Sequence, residues 1–156
     1  MKIHIITVGN KQSDWINRGF QEYAKRLNQE VTIQLKEIVA VTHYKNMTAD
    51  EIKQKEADKI RSAIPKNTLL IVLDERGRSL TSKDLACEMQ QWLDSGQDVS
   101  LVIGGAEGLE KTLIDEADNC WSLSAFTLPH GLVRILIAEQ IYRAWSILKC
   151  HPYHRS

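Results

Sequence analysis

The chain is poor in the features that build several whole classes of protein. Its three cysteines, Cys87, Cys120 and Cys150, are far apart and odd in number, so neither a disulfide framework nor a paired zinc spacing follows from them. Cys150, His151 and His154 stand close together near the end of the chain, but an ordinary polar tail accounts for them and no metal is expected. No apolar stretch approaches the roughly 18 residues that a membrane-spanning helix requires. The opening MKIHIITVGN has one lysine and a short apolar run before Asn10, which suits a first strand and not a signal peptide. A cytoplasmic location, with no membrane partner, is the expectation. There are eight glycines and three prolines, so where the glycines fall carries information. No G-x-G-x-x-G follows the first strand, since Val8-Gly9-Asn10-Lys11 supplies one glycine, and no G-K-[ST] occurs to make a P-loop.

Charge of either sign is not in excess: 20 basic and 20 acidic side chains leave a formal net charge of zero. General affinity for nucleic acid is therefore not expected. The distribution is uneven, however. Residues 1–66 hold 12 basic and 8 acidic groups, residues 67–129 hold 4 and 11, and residues 130–156 hold 4 and 1. A phosphate-facing surface can thus be assembled from the two ends of the chain while the middle stays acidic; ordinary solvated helix faces would explain the same numbers.

Strand and helix patterns alternate. Lys2–Val8 reads as a strand, and Trp15, Phe20, Tyr23 and Leu27 recur at helical spacing behind Ser13 or Asp14 as cap. Val31–Ile38 alternates like a half-buried strand, and 39–47 reads as a loop. Thr48 with Glu51 forms a capping box before a helix that ends ahead of Pro65. Thr68–Asp74 is a continuous apolar strand, followed by a turn over 75–80 and a helix from Thr81 to Leu93 closed by Gly96. Val99–Ile103, a short helix over 111–117, a strand near 120–124 and a helix from Pro129 to Leu148 complete the series. The pattern predicts an α/β fold with a mostly parallel sheet flanked by helices. Without repeats, low-complexity stretches or linkers, residues 1–156 read as one domain.

Ligands of such sheets bind beyond the carboxyl ends of the strands. Three segments fall there: the one after Leu73 and Asp74, the loop Gly104-Gly105-Ala106-Glu107-Gly108, and Ser122 through His130. Gly104, Gly105 and Gly108 allow a ligand to approach the backbone closely. The last helix is apolar almost all round, interrupted by Arg134, Glu139 and Arg143. A helix of that kind is buried in a core or an interface, and a homodimer is expected. Glu139 and Arg143 are spaced for a helical ion pair.

Three segments together, GGAEG at 104–108, SLSAFTLPH at 122–130 and RILIAEQIYRAWSILKCHPYHR at 134–155, closely resemble the RlmH (YbeA-like) ribosomal RNA methyltransferases of the SPOUT superfamily. ITVGNK near the start, EYAKRL at 22–27 and LDERGRSL at 73–80 extend the resemblance over essentially the whole chain. The chain departs from the family pattern at Asn10 and at Glu56-Ala57-Asp58. The resemblance implies a trefoil-knotted fold with the cofactor region at about 70–156, a homodimer, and S-adenosylmethionine as cofactor. It implies N3-methylation of a pseudouridine in helix 69 of 23S ribosomal RNA, on the assembled ribosome. By position, Leu73, Gly104 and the run Leu123, Ser124, Ala125, Phe126, Thr127, Leu128 would line the cofactor, with Gly105 and Gly108 in the same turn. Tyr153, His154 and Arg155, with His130 and Arg143, would face the RNA base.

For the chemistry, His154 is the leading proton acceptor because imidazole titrates near neutrality. Arg155 or Arg143 would steady the developing imide anion, and Tyr153 would stack on or hydrogen-bond the base. A SPOUT enzyme acting on transfer RNA is the nearest rival. A non-catalytic ribosome-binding module on the same sheet is another, and a flavodoxin- or receiver-like domain fits the alternation but not the late glycines.

Overall fold

The computed structural model describes residues 1–9, 11–42 and 46–155; Asn10, one of the two departures above, lies outside them. Five strands alternate with five helices: β1 (Lys2–Val8), α1 (Asp14–Ala24), β2 (Thr32–Ile38), α2 (Ala49–Ala63), β3 (Leu69–Ser79), α3 (Ser82–Ser95), β4 (Val99–Ile103), α4 (Lys111–Glu116), β5 (Asn119–Ser122) and α5 (His130–Leu148). All pairings between these five strands are parallel, in the order β2-β1-β4-β3-β5.

Parallel strands covered on both faces need apolar residues of both parities, and β1 and β4 have them. Ile3, Ile5, Val99 and Leu101 face one layer, where Phe20 of α1, Leu85 and Met89 of α3 and Ile137 and Ile141 of α5 cover them. Ile6, Val8 and Val102 face the other, under Ala57 and Ile60 of α2 and Leu113 of α4. The one buried hydroxyl of β4, Ser100, is satisfied by Thr68 Oγ1 at 2.8 Å.

The helix ends follow local chemistry. Thr48 and Glu51 make the expected capping box, and Thr81 with Asp84 makes a second. Gly96 ends α3 in the left-handed conformation. In α1 the inward residues are Ile16 and Phe20, not Trp15, which is 53% exposed. Helical spacing cannot say which edge of the apolar stripe turns inward.

One expectation is corrected in β3. The segment 75–79, read as a turn, continues the strand after a bulge: Leu73 and Arg78 both align with Trp121 of β5. The physical reason is Gly77, where a Cβ would lie 2.6 Å from the backbone carbon of Trp121. Only glycine lets the two main chains meet so closely, and the polar residues around it gave no strand signal.

α5 also differs in part from its sequence reading. Much of its apolar surface is used inside the chain, where Ile137, Ala138, Ile141 and Ala144 are buried against α1 and α3. Leu132 and Leu136, 36% and 39% exposed, form the apolar strip that remains. Arg134 is buried at 1% exposure; it donates to Glu37 at 2.8 Å and to the Gly9 carbonyl, tying α5 to the ends of β1 and β2.

Candidate functional site

The carboxyl ends of β3, β4 and β5 surround a cleft of about 340 Å³, within the range of small-molecule sites. Leu73, Ile103, Leu123, Leu128 and Val133 supply apolar walls, and Gly104, Gly105 and Gly108 supply bare backbone. Ser124, Phe126, Thr127 and His130 complete the rim on the β5–α5 side. Flat apolar walls with main-chain amides and carbonyls between them suit a purine nucleoside better than a highly charged ligand.

The glycine turn is held from behind. A hydrogen bond from Gly108 N–H to the Gly105 carbonyl at 3.0 Å closes it. A Cβ on Gly105 would lie 2.8 Å from Glu56 Oε2 and 3.1 Å from Val8 Cγ1. The constraint on Gly105 therefore comes from α2 and β1, not from the cleft itself. Glu56, 5% exposed, is a backing residue that belongs to none of the expected cofactor loops. It lies against one of them.

Of the residues expected around the cofactor, Leu73, Gly104, Gly105, Gly108, Leu123, Ser124, Phe126, Thr127 and Leu128 line the cleft. Ala125 is exposed and is not part of the wall. Asp74 and Glu75, which were not among the residues expected around the cofactor, both line the cleft. Their place directly after Leu73, where the pairing of β3 with β4 ends, was the signal available for them. His130 lines the cleft as well, and burial, followed by the nearby Arg134 guanidinium, holds its imidazole below the usual pKa. It is therefore neutral near pH 7.

The remaining predicted residues gather elsewhere. Arg143 donates to Glu139 Oε1 from Nε at 2.9 Å, and Tyr153 Oη donates to the same oxygen at 2.9 Å. The Arg143 guanidinium lies 4.8 Å from the Tyr153 ring centroid, and Tyr142 meets Tyr153 from the other side at 4.7 Å. Burial, then the Glu139 carboxylate, pushes the Tyr153 phenol up to about 12. Both ring nitrogens of His154 are buried and take no hydrogen bond among the described residues, whereas Arg155 is exposed. The tail folds back onto α5, so that Tyr153 meets its Glu139, Tyr142 and Arg143, while His130 and the cleft sit at the amino end of the helix. Glu139 and Arg143, which hold Tyr153, stand nine and thirteen residues after His130, roughly 14 Å and 20 Å along the axis at 1.5 Å per residue. The structure unites the cofactor group and His130; it does not bring the tail to the cleft of its own chain.

Among the described residues no group of His, Cys, Asp and Glu is arranged to hold a metal, and no helix is long and apolar enough to cross a membrane.

A parallel sheet with a backbone-walled cleft at the ends of its late strands defines an α/β enzyme class that binds its small-molecule ligand through late loops, not through an early glycine-rich turn. Two solved structures share the fold: a probable methylase family protein from Haemophilus influenzae, with a TM-score of 0.61 at 14% identity over 99% of this chain and 70% of that one, and a putative methylase family protein from Neisseria gonorrhoeae, with a TM-score of 0.50 at 18% identity over 90% and 81%. The family model described as "Predicted SPOUT methyltransferase" matches residues 1–154, and the chain belongs to that family. It is 50% identical to the ribosomal RNA large subunit methyltransferase H of Hydrogenovibrio crunogenus over 99% of both chains. It is 47% identical to the protein of that name in Burkholderia thailandensis over the full length of both.

Proposed function

We propose that this protein uses S-adenosylmethionine to methylate large-subunit ribosomal RNA, at N3 of a pseudouridine in helix 69 of the assembled ribosome. The observation that carries the reading is near-50% identity, end to end, to ribosomal RNA large subunit methyltransferases H. The cleft supports it: apolar walls for a purine and main-chain groups for its edges. Bound there, S-adenosylmethionine would supply an electrophilic methyl group on its sulfonium. The protein's share is to align that methyl with the attacking nitrogen and to exclude water, a positional contribution.

The tail supplies the groups that proton transfer needs. His154 would accept the imide proton and Arg155 or Arg143 would steady the anion. Tyr153, kept protonated by burial and Glu139, would remain a hydrogen-bond donor. Since none of these groups lines the cleft of its own chain, they would reach a reacting base from a second subunit. The exposed Leu132–Leu136 strip beside the cleft supports a homodimer that pairs one chain's tail with the other's cleft. We take residues 1–156 as one domain, with the cofactor region at about 70–156 knotted as in its family, and working in the cytoplasm where ribosomes are.

The decisive experiment is incubation with labelled S-adenosylmethionine and ribosomes lacking the modification, followed by nucleoside analysis. Label in N3-methylpseudouridine of the large-subunit RNA is expected; label in transfer RNA alone, or nowhere, would refute the substrate. Mixing two inactive variants, Gly105→Val and His154→Ala, tests the shared site. Subunit exchange should restore activity, because a mixed dimer holds one intact cleft and tail.

A further inference from the structure

Asp74 and Glu75 are adjacent carboxylates on the wall of one cleft, yet they are not equivalent. Asp74 has a cation of its own. Arg76 donates to it from Nε at 2.9 Å, from its terminal nitrogen at 3.2 Å and from its main-chain N–H at 2.9 Å. That contact holds the Asp74 carboxyl below the usual range. No salt bridge ends on Glu75 among the described residues, and Arg76 feels its charge only weakly, behind that of Asp74. The hydrogen-bond partner of Glu75 is the Thr127 hydroxyl, which donates to Oε2 at 3.4 Å. Glu75 follows Leu73 on β3 and Thr127 belongs to the β5–α5 loop, so this bond spans the mouth of the cleft.

The rest of the wall leaves that charge unanswered. Among the described residues no lysine or arginine lines the cleft, and the one imidazole there, His130, is held neutral. A cationic ligand would meet one uncompensated carboxylate.

Resting on the cofactor reading of this cleft, we propose that Glu75 is a specificity-determining residue that distinguishes the methyl donor from its spent product by charge. In the transfer the S–CH3 bond breaks and its electron pair stays on sulfur, while N3, having given its proton to the base, forms the new N–CH3 bond. The sulfonium becomes a neutral thioether, so the bound molecule falls from a net charge of about +1 to zero. A carboxylate at the mouth favours the first over the second and assists exchange after turnover. Glu75 is exposed before a ligand covers it, so the effect is that of a partly screened pair, about threefold to fivefold in affinity.

The test is calorimetric titration of the full-length protein with S-adenosylmethionine and, separately, S-adenosylhomocysteine. Glu75→Gln removes the charge and keeps an acceptor for Thr127; Thr127→Val removes the bridge and keeps the charge. We expect Glu75→Gln to shift the affinity ratio about threefold to fivefold toward the product, and high salt to shift the wild type the same way. Thr127→Val should weaken both ligands alike and leave the ratio within about twofold. An unchanged ratio in Glu75→Gln, with both ligands still bound, overturns this inference and leaves the cofactor reading standing. If neither ligand binds the wild type, the cofactor reading falls and this inference with it.

Discussion

At the amino end of α5, the cleft is walled by main chain and small or apolar side chains, with Gly105 pressed against Val8 and Glu56 from behind. From the middle of the helix onward, Glu139, Tyr142 and Arg143 hold Tyr153 of the returning tail through hydrogen bonds and ring contacts. The first region is shaped by what it omits, since a Cβ at Gly104 or Gly105 would press into Leu109 or into Glu56 and Val8. The second is shaped by charged and aromatic groups whose positions depend on one shared carboxylate. Substitutions should therefore divide cleanly: changes at the cleft move cofactor affinity, and changes at the tail move turnover.

The largest expected effect is at the tail. His154→Ala should lower turnover about a hundredfold or more, the usual range for loss of a general base. Calorimetric affinity for S-adenosylmethionine should stay within about twofold of wild type, because His154 does not line the cleft of its own chain. Wild-type turnover in that variant would remove His154 from the chemistry.

Next comes the cleft. In Gly105→Val the new Cβ lies 2.8 Å from Glu56 Oε2, and a branched side chain adds two more carbons to a space already filled. Overpacking of this kind costs roughly 1–3 kcal/mol, so cofactor affinity should fall on the order of tenfold to a hundredfold. Circular dichroism should still show a folded protein. Unchanged affinity would separate the glycine turn from the cofactor.

How far these regions could be read from sequence differs for the same physical reason. Strand and helix order was legible because each element declares its own period: the apolar parities of β1 and β4 and the capping box at Thr48 are local signals. The extension of β3 past Asp74 was not, because a close backbone approach at Gly77 has no hydrophobic signature. The late glycines pointed to the cleft, and resemblance supplied most of its wall. Glu56 behind Gly105 depends on how α2 packs against β1, which no spacing within α2 reveals. The place of the tail depends on its turn back onto Glu139 and Arg143 after α5 ends, which no helical spacing reveals.

A subtler effect belongs to Glu139→Gln. Burial is the larger cause of the raised Tyr153 phenol and the Glu139 carboxylate the next. Removing that charge should lower the phenol from about 12 while leaving it above the ordinary value of 10. The sign for stability follows from the raised value. Docking energy from the protonated phenol is fully present below pH 10 and is lost as pH rises through about 12. Ultraviolet titration against a Tyr153→Phe control would show whether the phenolate appears earlier in Glu139→Gln. An identical curve would mean that the carboxylate does not hold the tail.

The smallest effect tests whether the division between cleft and tail is specific or merely reflects stability. Thr81 caps α3, accepting from Asp84 N–H at 3.1 Å while Asp84 Oδ2 accepts from Thr81 N–H at 2.8 Å. Neither residue lines the cleft or touches the tail cluster. Thr81→Ala should cost about 1 kcal/mol of stability through the lost cap, seen as a lower denaturation midpoint with cofactor affinity and turnover unchanged. If a loss of that size at a remote helix end also moved either quantity, the effects at Gly105 and His154 would have to be reassigned to global loosening of the fold.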